Sequence, residues 1–146
     1  MKKVFITLLA VVLAGMAPLF MVFSQDKNND AEAEFIFRSQ DRPEYKKNVS
    51  LEQLKELQDT QNIALIDVRL AEDFALDPIL IPGAEYKDPE NISKWVDTLP
   101  KDKKIILYCV KGAWVSQKAA TYLNEKGYDV SSLNGGLRDW KKATNK

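Results

Sequence analysis

The sequence contains no histidine, and this absence removes several kinds of active site. Without an imidazole there is no histidine general acid or base, and no Cys–His or Ser–His pair to generate a nucleophile. Most zinc sites are excluded as well, since they use histidine or several cysteines. Cysteine occurs once, at Cys109, so the chain cannot form an internal disulfide. We accordingly predict no metal site and no cofactor.

An excess of positive charge is also missing. The 21 Lys and Arg residues are balanced by 21 Asp and Glu residues. Nucleic-acid-binding proteins normally show a basic patch or stripe, so no nucleic-acid partner is predicted. With 146 residues, 45% hydrophobic and 29% charged, the composition is that of one globular domain. It does not match disordered, collagen-like or coiled-coil chains.

Charged residues are absent from one long stretch, Val4–Phe23, which follows Lys2 and Lys3. An apolar run of this length after a basic start is typical of a secretory signal peptide, and it is also long enough to span a bilayer. We therefore predict that residues 1–24 are either a cleaved signal peptide or a membrane anchor through residues 4–23. In both cases the remainder is exported, to the bacterial periplasm or the outer face of the inner membrane.

The next stretch, residues 25–48, is polar and has no sustained periodicity, so it is predicted to be a linker. Its apolar triplet FIF at 35–37 could pack on the domain or add an edge strand. The domain itself is predicted over residues 49–146.

Short apolar runs without alternation predict strands that are covered on both faces, as in a parallel sheet. They are IALI at 63–66 and IILY at 105–108. Helical spacing and turn residues predict further strands and helices around them: helices over 51–59, 91–99, 115–126 and 137–142, and strands over 84–86 and 129–133. This alternation predicts an α/β domain with a small, mostly parallel sheet flanked by helices.

Cys109 comes directly after one of these buried strands. Ligands of open parallel sheets bind beyond the carboxyl ends of the strands. Residues 110–114 form a short loop with Gly112, and a helix begins near Ser116. Free N–H groups in such a loop, with the positive end of the helix, form an anion cradle that favours thiolate over thiol. The alternative is that Cys109 is a small apolar core residue, as free cysteines often are.

Three ordered stretches of the sequence resemble the rhodanese family of sulfurtransferases. LIDVR at 65–69 matches the first core strand and the Asp-x-Arg signature, and IPGAEY at 81–86 matches the turn and strand that follow. Residues 108–140 match the active-site loop, its helix and the Leu-x-Gly-Gly…Trp ending. The resemblance covers about residues 49–142 and implies a rhodanese-like fold.

The resemblance also implies a reaction. Cys109 would take a sulfane sulfur from a donor such as thiosulfate, become a persulfide, and pass the sulfur to cyanide, a thiol or a protein acceptor. The loop amides would bind the anionic sulfur species, and Lys111 would attract an anionic donor. The loop residues assigned to this role are Val110, Lys111, Gly112, Ala113 and Trp114. Supporting roles are assigned to Asp67, Arg69 and Ser116, the first two mainly as structural residues at a strand end.

The loop departs from the family pattern Cys-x-x-Gly-x-Arg-Ser. Trp114 occupies the arginine position and Ser116 comes one residue late, so the loop is one residue longer. Longer loops occur in related phosphatase domains, but these need a loop arginine to stabilise the charge on phosphate. Phosphatase activity is therefore not expected. The departures leave one alternative to a sulfurtransferase, a catalytically weak binding or redox-sensing module.

Overall fold

The computed structural model describes residues 37–145. The predicted signal peptide or anchor, residues 1–24, and the first half of the predicted linker lie outside this range. Among the described residues, no helix has both the length and the apolar character needed to cross a membrane.

A parallel sheet forms the centre of the described chain. Its strands are β1 (Asn48–Val49), β2 (Ile63–Asp67), β3 (Ala84–Tyr86), β4 (Lys104–Tyr108) and β5 (Val130–Leu133). The strand order is β1-β5-β4-β2-β3, and every neighbouring pair is parallel. The predicted parallel sheet is confirmed. Asp67 pairs with Tyr108, so β2 and β4 end at the same edge of the sheet.

Five α-helices connect and flank these strands within the described range. They are α1 (Leu51–Asp59), α2 (Ala71–Leu76), α3 (Ile92–Trp95), α4 (Trp114–Glu125) and α5 (Gly136–Thr144). The start of α1 is fixed by a capping box. The amide of Gln53 donates to Ser50 Oγ (3.2 Å), and the amide of Ser50 donates to Gln53 Oε1 (2.8 Å).

The prediction of one continuous helix over 91–99 is wrong. The structure has the single turn of α3 between two 3₁₀ turns, Pro89–Asn91 and Val96–Thr98. The Thr98 hydroxyl donates to the carbonyl of Trp95 (2.6 Å). Hydroxyls that bind the backbone in this way compete with the helical hydrogen bonds, which accounts for the broken geometry.

Both faces of the sheet are buried. On one face, Leu54 of α1 and Leu137 of α5 pack with Leu65 and Ile106 of the strands. Because successive strand residues point to opposite faces, Leu107 faces the other side, where α4 lies against β4 and β5. This two-sided burial explains why the strands have apolar runs without alternation.

The folded part of the chain includes residues that the sequence assigned to a linker. Phe37 and Tyr45 are buried, and the Tyr45 hydroxyl donates to the carbonyl of Val130 (2.8 Å). The amide of Ser132 donates to the carbonyl of Lys47 (2.9 Å). The linker prediction therefore needs correction over 37–48, because these residues pack on the domain. Their few apolar side chains are too widely spaced to give a periodic signal.

The carboxyl end of β2 carries a buried ion pair between Asp67 and Arg69. Their exposed fractions are 0% and 1%. Arg69 Nε donates to both carboxylate oxygens of Asp67, at 3.0 and 2.8 Å. The remaining guanidinium nitrogens donate to the carbonyls of Asp77 (2.6 Å) and Ile79 (3.0 Å). These contacts fix the chain after α2 against the end of the sheet, which is a structural role.

We expect Arg69→Met to lower the free energy of unfolding by about 3–5 kcal/mol, because it leaves the Asp67 carboxylate buried without its cationic partner. Chemical denaturation of the purified protein measures this loss. The control is Arg38→Ala, which removes an exposed arginine paired with Glu72 and Glu90, and its effect should be much smaller. Similar losses in the two variants would contradict the structural role of the buried pair.

Candidate active site

Cys109 lies at the carboxyl end of β4 and is largely buried, with 4% of its surface exposed. It is one of the residues that line a cavity of about 440 Å³. The other lining residues are Asp73, Val110, Lys111, Ala113, Trp114 and Val115. The cysteine thus combines a strand-end position with access to a cavity large enough for a small molecule.

The backbone of the cysteine loop is bound by the first turn of α5. The amide of Leu137 donates to the carbonyl of Cys109, and the amide of Arg138 donates to the carbonyl of Val110, both at 2.9 Å. The first N–H groups of a helix have no acceptor within the helix, so they are available for such contacts. The position of the loop is therefore set by the turn between β5 and α5.

Two glycines allow this close approach. Gly112 has φ +64°, and a Cβ atom there would lie 2.3 Å from the carbonyl oxygen of Leu133. Gly136 has φ +55°, and its Cβ atom would lie 2.2 Å from the carbonyl oxygen of Cys109. Both positions combine a left-handed backbone with contacts that no side chain can make. Gly112, predicted from sequence to curl the loop, and the Gly135-Gly136 turn consequently lie together.

The loop amides are available to a ligand. Over residues 37–145, no amide of residues 110–114 donates to a protein oxygen. Trp114 is the first residue of α4, so the positive end of that helix adjoins the same loop. Lys111 is exposed and adds a full positive charge to the cavity lining. Of the loop residues predicted to form an anion cradle, Val110, Lys111, Ala113 and Trp114 line the cavity, whereas Gly112 packs against the turn between β5 and α5.

Ser116 is also brought to the cysteine. Cys109 Sγ donates to Ser116 Oγ at 3.5 Å, and Ser116 Oγ lies 2.8 Å from Ser132 Oγ. Ser116 Oγ also donates to the carbonyl of Ala113 at 3.3 Å. Because a hydroxyl can rotate between donor and acceptor roles, Ser116 can donate to the sulfur once it is a thiolate. Ser132 was not predicted from sequence, since a serine in a buried strand gives no signal of a functional role.

Asp67 and Arg69 are not part of the Cys109 cavity lining. Arg69 instead lines a neighbouring cavity of about 360 Å³, which shares Asp73 and Val110 with the first. Lys141 pairs with Asp77 in this second cavity and lowers the pKa of that carboxyl.

Asp73 was not predicted as a site residue, because nothing in the sequence around α2 relates it to Cys109. Among the described residues, no group of acidic or cysteine side chains is arranged to bind a metal.

Trp114 connects the site to the N-terminal segment, residues 37–42. Its ring packs against Phe37 with a centroid distance of 5.8 Å, and the guanidinium carbon of Arg42 lies 4.1 Å from its ring centroid. Trp114 therefore both packs at the start of α4 and lines the cavity, the two roles that its position allows. The contact with Arg42 was not predicted, since the segment was assigned to the linker.

Known proteins share this architecture and these motifs. The Rhodanese-like domain family matches residues 50–143. The thiosulfate sulfurtransferase GlpE of Pseudoalteromonas translucida is 35% identical over 98 residues, which are 66% of this chain and 90% of that protein. GlpE of Shewanella oneidensis is 32% identical over 98 residues, 66% of this chain and 94% of that protein.

The same similarity is found among solved structures. The crystal structure of a rhodanese-like domain protein from Staphylococcus aureus superposes with a TM-score of 0.57 at 26% identity. The match covers 65% of this chain and 91% of that protein. With most of the chain matched in sequence and its parallel sheet shared with a solved member, this protein belongs to the rhodanese-like domain family.

Proposed function

We propose that this protein is a rhodanese-type sulfurtransferase that carries a sulfur atom on Cys109 as a persulfide. The observation that carries the proposal is that Cys109 lines a cavity beside loop amides with no acceptor in the described chain. Relatives at 32–35% identity are thiosulfate sulfurtransferases by name, which supports the same reaction class.

The first half-reaction loads the cysteine. The Cys109 thiolate attacks the outer sulfur of thiosulfate, an S–S bond forms to Cys109, and the original S–S bond breaks. Sulfite leaves with the electron pair of that bond. The amides of residues 110–114 and the positive end of α4 stabilise the negative charge on the bound sulfur, and Ser116 donates to the thiolate.

The second half-reaction unloads it. A thiophilic acceptor such as cyanide or a thiolate attacks the outer sulfur of the persulfide. The product is thiocyanate or a new persulfide, and the Cys109 thiolate leaves with the electron pair of the broken S–S bond. No histidine is needed, because neither step requires a proton to move to or from a reacting carbon or nitrogen.

We also propose that the reaction takes place outside the cytoplasm, since residues 1–24 have the composition of a signal peptide or anchor. Cell fractionation with the full chain should recover the protein in the periplasm or with the inner membrane. Replacing the apolar run by polar residues should keep it in the cytoplasm. Cytoplasmic recovery of the unaltered chain would contradict export.

Cys109→Ser should abolish both persulfide formation and thiocyanate production, because a serine hydroxyl cannot accept the sulfane sulfur as a thiolate does. After incubation with thiosulfate, mass spectrometry of the unaltered protein should show the mass of one additional sulfur atom on the Cys109 peptide. The variant should show none. If Cys109 reacts with an alkylating agent but takes no sulfur from any sulfane donor, the binding or redox-sensing alternative is favoured instead.

Gly112→Ala should lower kcat/KM by about 100-fold, the order expected when a catalytic group is displaced by about 1 Å. The new Cβ atom would contact the Leu133 carbonyl and force the loop away from the β5–α5 turn. Gly127→Ala is the matched control, because Gly127 also has positive φ (+85°) but no atom within 4 Å of its Cβ position. Steady-state kinetics on both variants separates loop displacement from backbone strain. Equal losses would argue against a loop position critical for catalysis.

A further inference from the structure

The cysteine loop contains no arginine, but an arginine from outside the family-matched region lies beside it. Arg42 precedes residues 50–143, and its guanidinium covers the ring of Trp114 at 4.1 Å. Trp114 in turn lines the cavity that contains Cys109. The stacking therefore places a planar cation against Trp114, one of the residues that line the cavity.

The segment that carries Arg42 is fixed to α4 by several contacts. Phe37 packs against Trp114, and Lys118 Nζ donates to Ser39 Oγ (2.6 Å) and to the carbonyl of Asp41 (3.3 Å). Trp114 and Lys118 are four residues apart, so they lie on the same face of the helix. The helix that begins at the cysteine loop thus also positions Arg42.

The charge of Arg42 is available for a ligand. Its NH1 group donates to the backbone carbonyls of Ser39 and Asp41. No carboxylate in the described part of the chain forms an ion pair with it. By contrast, Arg38 in the same segment is paired with both Glu72 and Glu90. Arg42 is also exposed, so an anion can reach it without displacing a protein partner.

We propose that Arg42, stacked on Trp114, is a specificity-determining residue that binds the anionic end of the sulfur donor. This inference rests on the sulfurtransferase function proposed above. A guanidinium presents a planar fork of donors that matches the oxygens of a sulfonate-like group. Arg42 and Lys111 would then bind the oxygen-bearing end of a donor such as thiosulfate while its outer sulfur reaches Cys109. The N-terminal segment would then supply the cation that the loop lacks, because Trp114 occupies the arginine position of the family pattern.

Steady-state kinetics with one donor that has a sulfonate-like end and one that lacks it tests this assignment. Arg42→Ala should raise KM for thiosulfate about fivefold and leave kcat nearly unchanged, as expected for loss of a binding contact at an exposed charge. With an alkyl hydropersulfide as donor, which has no sulfonate-like oxygens for the guanidinium to bind, KM should not change. Arg42→Lys should recover part of the thiosulfate affinity, because it keeps the charge and loses the planar fork. Lys46→Ala, the matched control, removes one exposed charge four residues after Arg42 and should leave both KM values unchanged.

An equal change with both donors would assign Arg42 a structural role only, and no change with thiosulfate would also overturn the proposal. A binding measurement separates these results from failure of the sulfurtransferase function. In the Cys109→Ser background, thiosulfate binding measured by calorimetry should weaken about fivefold when Arg42 is replaced by alanine. If binding weakens in this way but the unaltered protein shows no turnover, the anion site at Arg42 stands and the sulfurtransferase function is rejected. Binding that does not depend on Arg42 rejects the site, whatever the turnover.

Discussion

The contact between the cysteine loop and the first turn of α5 is the constraint on which the site depends. Two helix-start amides bind the carbonyls of Cys109 and Val110, so these carbonyls face the turn. A peptide unit with its carbonyl directed to one side presents its N–H to the other, so the amides of Val110 and Lys111 are directed away from the turn. The anion cradle that we propose for this loop would thus depend on the packing of α5 against the cysteine loop. The glycines at 112 and 136 are required because the two backbones touch.

Much of this architecture is predictable from the sequence, because it depends on local patterns. The apolar runs at 63–66 and 105–108 lack alternation, and the structure confirms that both faces of these strands are covered. The capping box of Ser50 and Gln53 and the glycine after α4 are each predicted from one or two residue types at fixed positions. The position of Cys109 at a cavity is predicted by one rule, that ligands of an open parallel sheet bind beyond the carboxyl ends of its strands.

What the sequence does not predict depends on contacts between distant residues. Ser132 approaches Ser116 because α4 packs against β5, and Asp73 lines the cavity because α2 lies near the cysteine loop. The role of residues 37–48 was missed for a related reason. Their contacts with the domain use isolated aromatic rings and single hydrogen bonds, which leave no periodicity in a polar stretch.

The short strand β1 has a consequence for where the folding unit ends. It covers the outer edge of β5, and the amides of Ser132 and Asn134 donate to the carbonyls of Lys47 and Val49. A chain that began at residue 50, where the family match begins, would leave that edge unpaired. An open edge strand is a template for pairing with another molecule. The boundary at which the family can be detected and the boundary at which β5 is paired on both of its edges are therefore different.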